Sequence, residues 1–320
     1  MKNLKIIPEE QAAAALDMKA ALQTVENAYR ACVKGEMYPG GRIVMPVGSE
    51  KNMGQWLTAV CTNIPIFGSK FSAVFPDNVK AGLPCDQSTI SLYSTRNGEQ
   101  LALIGANYLT ALKTGASAGV ATGLLARRDA CRLGIIGTGT QAFTQALAIQ
   151  EVRPLTELRI FDRSTERMNA FAKRIAAARN RPYEIIPCGS GEQCVEGSDI
   201  VCTATPSRTP VFDGAALRPG THVNAIGSFT PTMQEIDAQT VEQASFVVTE
   251  HVDGLWAAAG DILIPLAQGL IARDKVRGSV GDVLVKNIPG RQSDGEITLY
   301  ESVGSCVLDV AMAITVYQTV

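Results

Sequence analysis

The sequence predicts an α/β fold with a parallel sheet, and three observations indicate it. From Cys131 onward, strand-like apolar segments alternate with segments of helical spacing, which is typical of βαβ units. Between Gly40 and Leu103 the pattern differs, since short strands are separated by Gly, Pro and Asn. The last segment, 295–318, predicts a strand, a tight Ser-Val-Gly turn and an apolar helix, which we expect to pack back on the N-terminal part.

Size, charge and composition exclude several classes of protein. The 320 residues, 46% of them apolar, are enough for roughly two domains with cores of their own. The net charge of −2 gives no basic field, so we expect neither a nucleic acid nor a membrane as partner. The start, "MKNLKIIPEEQ", turns acidic too early for a signal peptide, and no apolar run is long enough to span a bilayer.

The cysteines point to a reducing compartment. The 8 cysteines form no CxxC pair, and the chain has only 2 histidines, so we expect no metal site. We interpret the cysteines as reduced thiols of a cytoplasmic protein, most of them small buried residues.

Two helices are predicted near the N-terminus and a third before the parallel sheet. Pro8 followed by two glutamates is typical of a helix start, and Asp17 is a candidate cap for a second helix that ends at Gly35. Residues 107–127 predict an Ala/Gly-rich helix. The small residues of this helix would let another element approach closely. These residues are Ala111, Gly115, Ala118 and Gly119.

The parallel-sheet region is predicted in detail from Cys131 onward. The strands are expected at 132–136, 157–162, 183–187, 198–205, 222–227 and 245–250, and the helices at 140–150 and 164–178, with a short helix after 187.

A glycine-rich motif, "GTGTQA", joins the first of these strands to its helix. Gly137 allows the tight turn, Gly139 lets the backbone approach a pyrophosphate, and Ala142 allows close helix–strand packing. The free amides of the helix start then face the phosphates. We therefore predict a nicotinamide dinucleotide site formed by Gly137, Thr138, Gly139, Thr140, Gln141 and Ala142.

The choice between NAD(H) and NADP(H) depends on the end of the next strand. Asp162 stands where a carboxylate binds the adenosine ribose, and it would repel a 2′-phosphate, so NAD(H) is favoured. Arg163 and Ser164 follow at once and would bind that phosphate if Asp162 turned away, so NADP(H) stays the alternative. Ser164 is also placed to cap the next helix.

Three cations stand out among those before the glycine motif: Arg42 in "YPGGRIVMP", Lys70 in "GSKFSAVFPDN" and Lys113 in "LTALKTGAS". On the predicted strand of Lys70, alternation places Phe71 on one face, and Lys70 and Ser72 on the other. A lone lysine in such a pattern is most often solvated on an outward face. Periodicity alone does not bring the three cations together.

Seven segments, taken in order, resemble the ornithine cyclodeaminase/mu-crystallin family: "PGGRIVMP", "GSKFSAVFPDNVKAGLP", "LTALKTGASAGVAT", "GIIGTGTQA", "FDRS", "GSFTPTMQEID" and "ESVGSCVLDVA". The resemblance covers nearly the whole chain. It implies a Rossmann-type domain inserted into a second α+β domain that binds substrate and forms a homodimer. The expected boundaries are 1–117 and 301–320 for the substrate domain and 118–300 for the Rossmann domain. It also implies that small α-amino acids or their imines react with a nicotinamide cofactor.

The resemblance also implies roles for individual residues. Arg42 and Lys70 take positions that hold the substrate carboxylate and polarise the reacting nitrogen. Lys113 stands where the family usually has an arginine on the carboxylate, and lysine keeps the charge but loses the bidentate fork. Cys85, in "GLPCDQ", replaces a threonine near the substrate, or else is a small packed thiol. Ser302, in "ESVG", matches a serine near the nicotinamide.

The turn "GSFTPTMQEID" departs from the family at Phe229. The cyclodeaminases of the family have an aspartate there, which serves as general base for the substrate amine. Oxidising an amino acid requires that base, whereas reducing a ready-made cyclic imine does not. Mu-crystallin, a ketimine reductase, also departs from aspartate here. Phe229 would line an apolar substrate pocket. Alternatively, Phe229 only fills space, and Glu235 or Asp86 supplies the base. If Glu235 is not the base, we expect it to support or cap the turn.

The sequence therefore predicts an NAD(P)H-dependent reductase of small cyclic imino acids, such as Δ1-pyrroline-2-carboxylate or Δ1-piperideine-2-carboxylate. Arg42 and Lys113 would hold the carboxylate, and Lys70 would donate to the nitrogen. Two alternatives stay open. One is an ornithine cyclodeaminase or amino-acid dehydrogenase with a relocated base. The other is a non-catalytic NAD(P)H-binding protein of the crystallin type.

Overall fold

The computed structural model describes residues 4–320, apart from the side chains of Glu50 and Val79. The chain forms two compact units. The first contains the residues up to Lys113 together with Ser305–Val320, and the second contains Thr114–Gly304. The second unit is therefore inserted in sequence between the two parts of the first. The predicted start of the substrate domain, at residue 1, lies outside the described residues.

The strands and helices have the following bounds. The strands are β1 (Lys5–Ile7), β2 (Met37–Val47), β3 (Ser49–Cys61), β4 (Ile66–Val74), β5 (Asp86–Ser94), β6 (Gln100–Gly105), β7 (Arg132–Ile136), β8 (Glu157–Phe161), β9 (Glu184–Pro187), β10 (Ile200–Thr203), β11 (His222–Ala225), β12 (Ala244–Thr249), β13 (Val276–Ser279) and β14 (Ile297–Glu301). The helices are α1 (Glu9–Ala15), α2 (Met18–Val33), α3 (Asn107–Leu125), α4 (Thr140–Val152), α5 (Thr165–Ala178), α6 (Gly191–Val195), α7 (Ala238–Gln243), α8 (Val252–Ala258), α9 (Gly260–Ala267), α10 (Val280–Leu284) and α11 (Cys306–Thr319).

The first unit is built on a six-stranded sheet with the order β1-β6-β5-β4-β3-β2. The neighbours from β2 to β6 pair antiparallel, and β1 pairs parallel with β6. The predicted helix starts are confirmed, since Pro8 precedes α1 and the Asp17 carboxylate accepts a 2.8 Å bond from the amide of Ala20 in α2. The C-terminal helix α11 packs against this sheet and α2, as predicted.

Strand β4 keeps the predicted alternation, but the buried face is the polar one. Lys70 and Ser72 are 6% and 4% exposed, whereas Phe71 is half-buried. The general expectation of an outward, solvated lysine is therefore wrong for Lys70. The physical reason is that α11 covers this face and provides a carboxylate partner.

The second unit is built on an eight-stranded parallel sheet with the order β13-β12-β14-β11-β10-β7-β8-β9. Two apolar cores include alternate residues of the same strands: Ile136 and Val201 belong to one, and Ile135 and Ile200 to the other. Both faces are thus covered, as in α/β proteins with parallel sheets. The fold class predicted from the sequence is confirmed. Strand β13 and helices α7 to α10 were not predicted, because segments of 4 to 8 residues are too short to establish a strand or helix period.

Helices α3 and α4 approach each other closely at one of the predicted small residues. A Cβ on Gly115 would lie 2.5 Å from the carbonyl oxygen of Thr144, so the small residue does allow α4 to approach α3 closely. The 8 cysteines are free thiols. Within residues 4–320, no helix has the length and apolar character to cross a membrane, and no group of His, Cys, Asp or Glu side chains is arranged to hold a metal ion.

Candidate active site

The glycine turn after β7 is closely packed at Gly137 and open at Gly139. Gly137 adopts a φ of +99°, and a Cβ there would lie 2.5 Å from the carbonyl oxygen of Ala204, so no side chain is tolerated. Gly139 begins α4 without a side-chain cap, and a Cβ on it would meet nothing within 4 Å. The buried Oε1 of Gln141, in the same turn, has no hydrogen-bond partner among the described residues. The two glycines fit an anionic group bound at the start of α4, whereas Gln141 Oε1 is an acceptor that requires a donor.

The carboxylate of Asp162 organises the edge of this turn. It accepts hydrogen bonds from the Thr138 hydroxyl at 2.7 Å, the Ser164 amide at 2.9 Å and the Arg167 guanidinium at 2.7 Å. Burial opposes its charge, but these donors together lower the pKa of Asp162. An ionised carboxylate at this position suits ribose hydroxyl groups.

The residues after Asp162 have a structural role as well. The Ser164 hydroxyl accepts a 3.2 Å bond from the Arg167 amide and caps α5, which confirms that part of the prediction. Arg163 is exposed. Arg167, which the sequence analysis did not single out, is the cation that pairs with Asp162.

Ser302 is held by a buried glutamate that the sequence analysis missed. The hydroxyl of Ser302, on the turn after β14, donates to Glu250 Oε1 at 3.2 Å, and the Gly304 amide donates to the same oxygen. The other oxygen of Glu250 accepts from the Tyr300 hydroxyl at 3.2 Å. Glu250 therefore fixes the turn that carries Ser302.

Glu235 supports the turn that contains Phe229. Its fully buried carboxylate accepts from the Gly227 amide at 2.6 Å, from the Thr203 hydroxyl at 2.9 Å, and from the Thr205 amide and hydroxyl at 2.6 and 2.7 Å. Complete burial raises the pKa of Glu235, while these hydrogen bonds act in the opposite direction. The four bonds make Glu235 a structural group of the turn, and Phe229 is half-buried beyond it.

Two further buried acids belong to the second unit. Asp261 accepts from the amides of Glu235 and Ile236 at 2.6 and 2.9 Å, and its burial, with the nearby Glu235, raises the pKa of Asp261 to about 8. Glu301 is fully buried at the end of β14. Its two carboxyl oxygens have no hydrogen-bond partner within the described part of the chain, and burial raises the pKa of Glu301 well above its ordinary value.

In the first unit, two predicted lysines share one carboxylate. Lys70 Nζ, on β4, lies 3.3 Å from Asp309 Oδ1, and Lys113 Nζ, on α3, lies 3.9 Å from the same oxygen. All three side chains are almost fully buried. Asp309 lies in the first turn of α11, where the helix dipole favours an acid. Among the residues that the structure describes, two ammonium groups thus face one carboxylate, and one positive charge is left over.

Arg42 lies on the same face of this sheet as Lys70. Both residues pair with Leu57 of β3, Arg42 from β2 and Lys70 from β4, and directly paired residues share a face. The Arg42 guanidinium donates a 3.1 Å bond to Gln55 Oε1. The structure therefore places the three predicted cations on elements of one unit, and it brings Lys70 and Lys113 onto a single acid.

Cys85 and Asp86 stand at the start of β5. Both are half-buried, and burial raises the pKa of the Cys85 thiol, with Asp86 as a second cause. Asp86 accepts a 2.8 Å bond from the Ser88 hydroxyl, which lies 2.7 Å from that of Ser72. A polar chain thus connects Asp86 with the Lys70 face of the sheet.

The parallel sheet, the glycine turn and Asp162 define a dinucleotide-binding protein of the Rossmann type. The family model for the ornithine cyclodeaminase/mu-crystallin family matches residues 6–320, so the chain belongs to that family.

Three relatives show how far the similarity extends. Δ1-pyrroline-2-carboxylate reductase of Bacillus cereus is 35% identical over 274 residues, which are 86% of this chain and 83% of that protein. The structure of the Thermococcus litoralis enzyme of the same name, in complex with NADH and L-proline, has a TM-score of 0.95 at 30% identity and covers 98% of this chain and 97% of that chain. An archaeal alanine dehydrogenase dimer with bound NAD has a TM-score of 0.92 at 29% identity, with coverage of 99% and 95%.

Proposed function

We propose that this protein is an NADH-dependent reductase of small cyclic imino acids, with Δ1-pyrroline-2-carboxylate as the first candidate substrate and L-proline as the product. The observation that carries the proposal is the buried group of Lys70, Lys113 and Asp309, which has one positive charge in excess. An uncompensated buried charge is costly, so the group suits a small carboxylate ligand. The relatives named pyrroline-2-carboxylate reductase support the same substrate class.

Each residue has a defined task in this proposal. Arg42 and Lys113 hold the substrate carboxylate, and Lys70 donates a hydrogen bond or a proton to the imine nitrogen. Reduced nicotinamide, when bound, supplies the hydride for the imine carbon. The backbone amides of the glycine turn, which includes Gln141, hold the phosphates, Asp162 binds the adenosine ribose, and Ser302 orients the nicotinamide.

Phe229 separates this proposal from amino-acid oxidation. No acid stands at the position where the cyclodeaminases have their base. Glu235 is occupied by four hydrogen bonds, so its carboxylate is no ready substitute, whereas Asp86 accepts one hydrogen bond, from Ser88. An imine needs no such base, because its nitrogen gains a proton during reduction.

NADH is the preferred cofactor in this proposal. Asp162 is ionised and fixed by three donors, so a 2′-phosphate would have to approach a half-buried negative charge. The solved relatives were obtained with NADH or NAD.

The proposal extends to domains, assembly and location. The first unit would serve as the substrate and dimerisation domain, and the second as the cofactor domain.

The sheet face opposite Lys70 exposes Ile43 and Trp56, at 63% and 47%, beside Phe71, and such an apolar surface suits a second copy of the chain. One relative is an alanine dehydrogenase dimer, which supports a homodimer here. Eight free thiols suit the reducing cytoplasm.

The test is loss of NADH absorbance with Δ1-pyrroline-2-carboxylate, run beside ornithine with NAD⁺ assayed for ammonia and L-alanine with NAD⁺. We expect imine-dependent oxidation of NADH without ammonia release. Lys70→Met should abolish it, whereas Lys80→Met, at an exposed lysine of the same unit, should not. Ammonia from ornithine, or alanine oxidation faster than imine reduction, would favour the cyclodeaminase or dehydrogenase alternative. Cofactor binding without turnover of any of these compounds would favour the non-catalytic alternative.

A further inference from the structure

We propose that Asp309 is a positioning residue that fixes the ammonium groups of Lys70 and Lys113 for the substrate. The inference rests on the proposed function and deepens it, because it names the group that sets the geometry of the carboxylate and imine contacts. Asp309 would touch neither substrate nor cofactor in this role.

The contacts of Asp309 support this role. Its side chain is 3% exposed, and a single oxygen, Oδ1, lies 3.3 Å from Lys70 Nζ and 3.9 Å from Lys113 Nζ. The two lysines come from different elements, β4 and α3, so the carboxylate is a common reference point for both. The nearby Cys306 thiol is neutral, since burial, assisted by Asp309, raises its pKa to about 12.

The charge count explains why the carboxylate matters. Two buried ammonium groups repel each other, and each carries a flexible side chain of four methylene groups. Asp309 offsets that repulsion and restricts both Nζ atoms. Without it, the lysines would separate or change rotamer, and a misplacement of about 1 Å can cost about a hundredfold in rate.

The test uses the full-length protein and the variant Asp309→Asn, which keeps the shape of the side chain but removes its charge. We expect kcat/KM for Δ1-pyrroline-2-carboxylate to fall by about a hundredfold. The affinity for NADH, measured by fluorescence titration, should change less than about twofold, because the cofactor residues belong to the other unit. A crystal structure of the variant should show both Nζ atoms displaced.

Asp199→Asn is the matched control. Asp199 is also buried and ion-paired, to Arg127 and Arg132, but it precedes β10 at the amino end of the parallel sheet. The control should lose stability while kcat/KM of the folded enzyme stays within about twofold of the wild type. A similar loss of kcat/KM in both variants would mean that Asp309 acts only through stability, and the inference would be wrong.

A second variant covers the case in which Asp309→Asn does not fold. Asp309→Glu keeps the charge and moves the carboxylate by one methylene group, so KM for the imine should rise at least about threefold with unchanged NADH affinity. Wild-type kinetics in this variant would overturn the inference. If the wild-type enzyme itself reduces no imine, the proposed function fails. In that case the crystal structure of either variant still tests the role of Asp309. Displaced Nζ atoms of Lys70 and Lys113 would support the role, and unchanged positions would contradict it.

Discussion

The Thr138 hydroxyl donates a 2.7 Å hydrogen bond to Asp162 Oδ2, and this bond connects the glycine turn to the end of the neighbouring strand. The residue that would bind the ribose is therefore fixed by the same turn that would bind the phosphates. Arg167 pairs with the other oxygen, Oδ1, at 2.7 Å. The site has both an acid that repels a 2′-phosphate and a cation that would attract one.

Asp162→Ser should shift the cofactor preference toward NADPH. The change removes the repelling charge and releases Arg167 for a phosphate, so kcat/KM with NADPH should rise by about tenfold and that with NADH should fall. Steady-state kinetics with both cofactors measure the ratio. Asp129→Ser, at an exposed acid of the same unit, is the control and should leave the ratio unchanged. An unchanged ratio in Asp162→Ser would show that another group sets the preference.

Phe229→Asp should restore amine chemistry in part. A carboxylate at this position can accept a proton from an amino-acid ammonium group, so ammonia release from ornithine with NAD⁺ should appear, at about tenfold or more above the background that the wild type gives. Phe229→Asn introduces polarity without a base and serves as the control. Equal rates in the two variants would contradict the interpretation of Phe229 as a lost base.

Glu301→Gln should change how stability depends on pH. Burial raises the pKa of Glu301 above the ordinary value of 4.5, so its contribution to stability is fully present below that pH and is lost as the pH rises. The limiting loss is about 1.4 kcal/mol per pH unit. The free energy of unfolding should therefore be similar for the wild type and the variant at about pH 5. At about pH 8 it should be higher for the variant than for the wild type.

Chemical denaturation at both pH values measures this difference. Glu196→Gln, at an exposed glutamate of the same unit, should follow the wild type. A variant that is less stable than the wild type at the higher pH would mean that Glu301 is charged in the folded protein.

Trp56→Glu should weaken the proposed homodimer. Trp56 is 47% exposed, and its ring lies 5.2 Å from that of Phe71 on the apolar face of the first sheet. A charge there would be buried on association, which is unfavourable. Sedimentation velocity should show a monomer for Trp56→Glu and a dimer for Leu270→Glu, which alters an exposed apolar residue of the other unit. A monomeric wild type, or a dimeric Trp56→Glu, would exclude this face as the interface.

Local turns and helix caps were predicted correctly, because they depend on residues that are adjacent in sequence. The turn from Gly137 to Ala142 and the capping by Ser164 and Asp17 each follow from a few adjacent residues. The bond between Lys70 and Asp309 spans 239 positions, and no local pattern signals it. A buried lysine requires an acidic partner, but hydropathy alone predicted that Lys70 faces solvent. Nothing in the sequence therefore indicated an acid that pairs with Lys70.

The buried acids of the second unit were missed for a related reason. Glu250, Asp261 and Glu301 follow or precede apolar segments, and in sequence they resemble ordinary strand or helix ends. Their roles depend on which strands are adjacent in the sheet, since β14 lies between β12 and β11 there although β12 is the next strand after β11 in sequence. Tertiary pairing, rather than local preference, determines what each acid contacts.

The alternation of β4 limits how this strand can change in length. Lys70 and Phe71 point to opposite faces, one toward Asp309 and the other toward the exposed apolar surface. Deleting or inserting one residue ahead of Lys70 within the strand would exchange the two faces, because side chains repeat every two residues. The lysine would then point into the proposed contact with a second copy, and the phenylalanine would face the buried aspartate. Insertions and deletions between family members are therefore expected in the loops that flank β4. Within the strand, we expect them only as changes of two residues at a time.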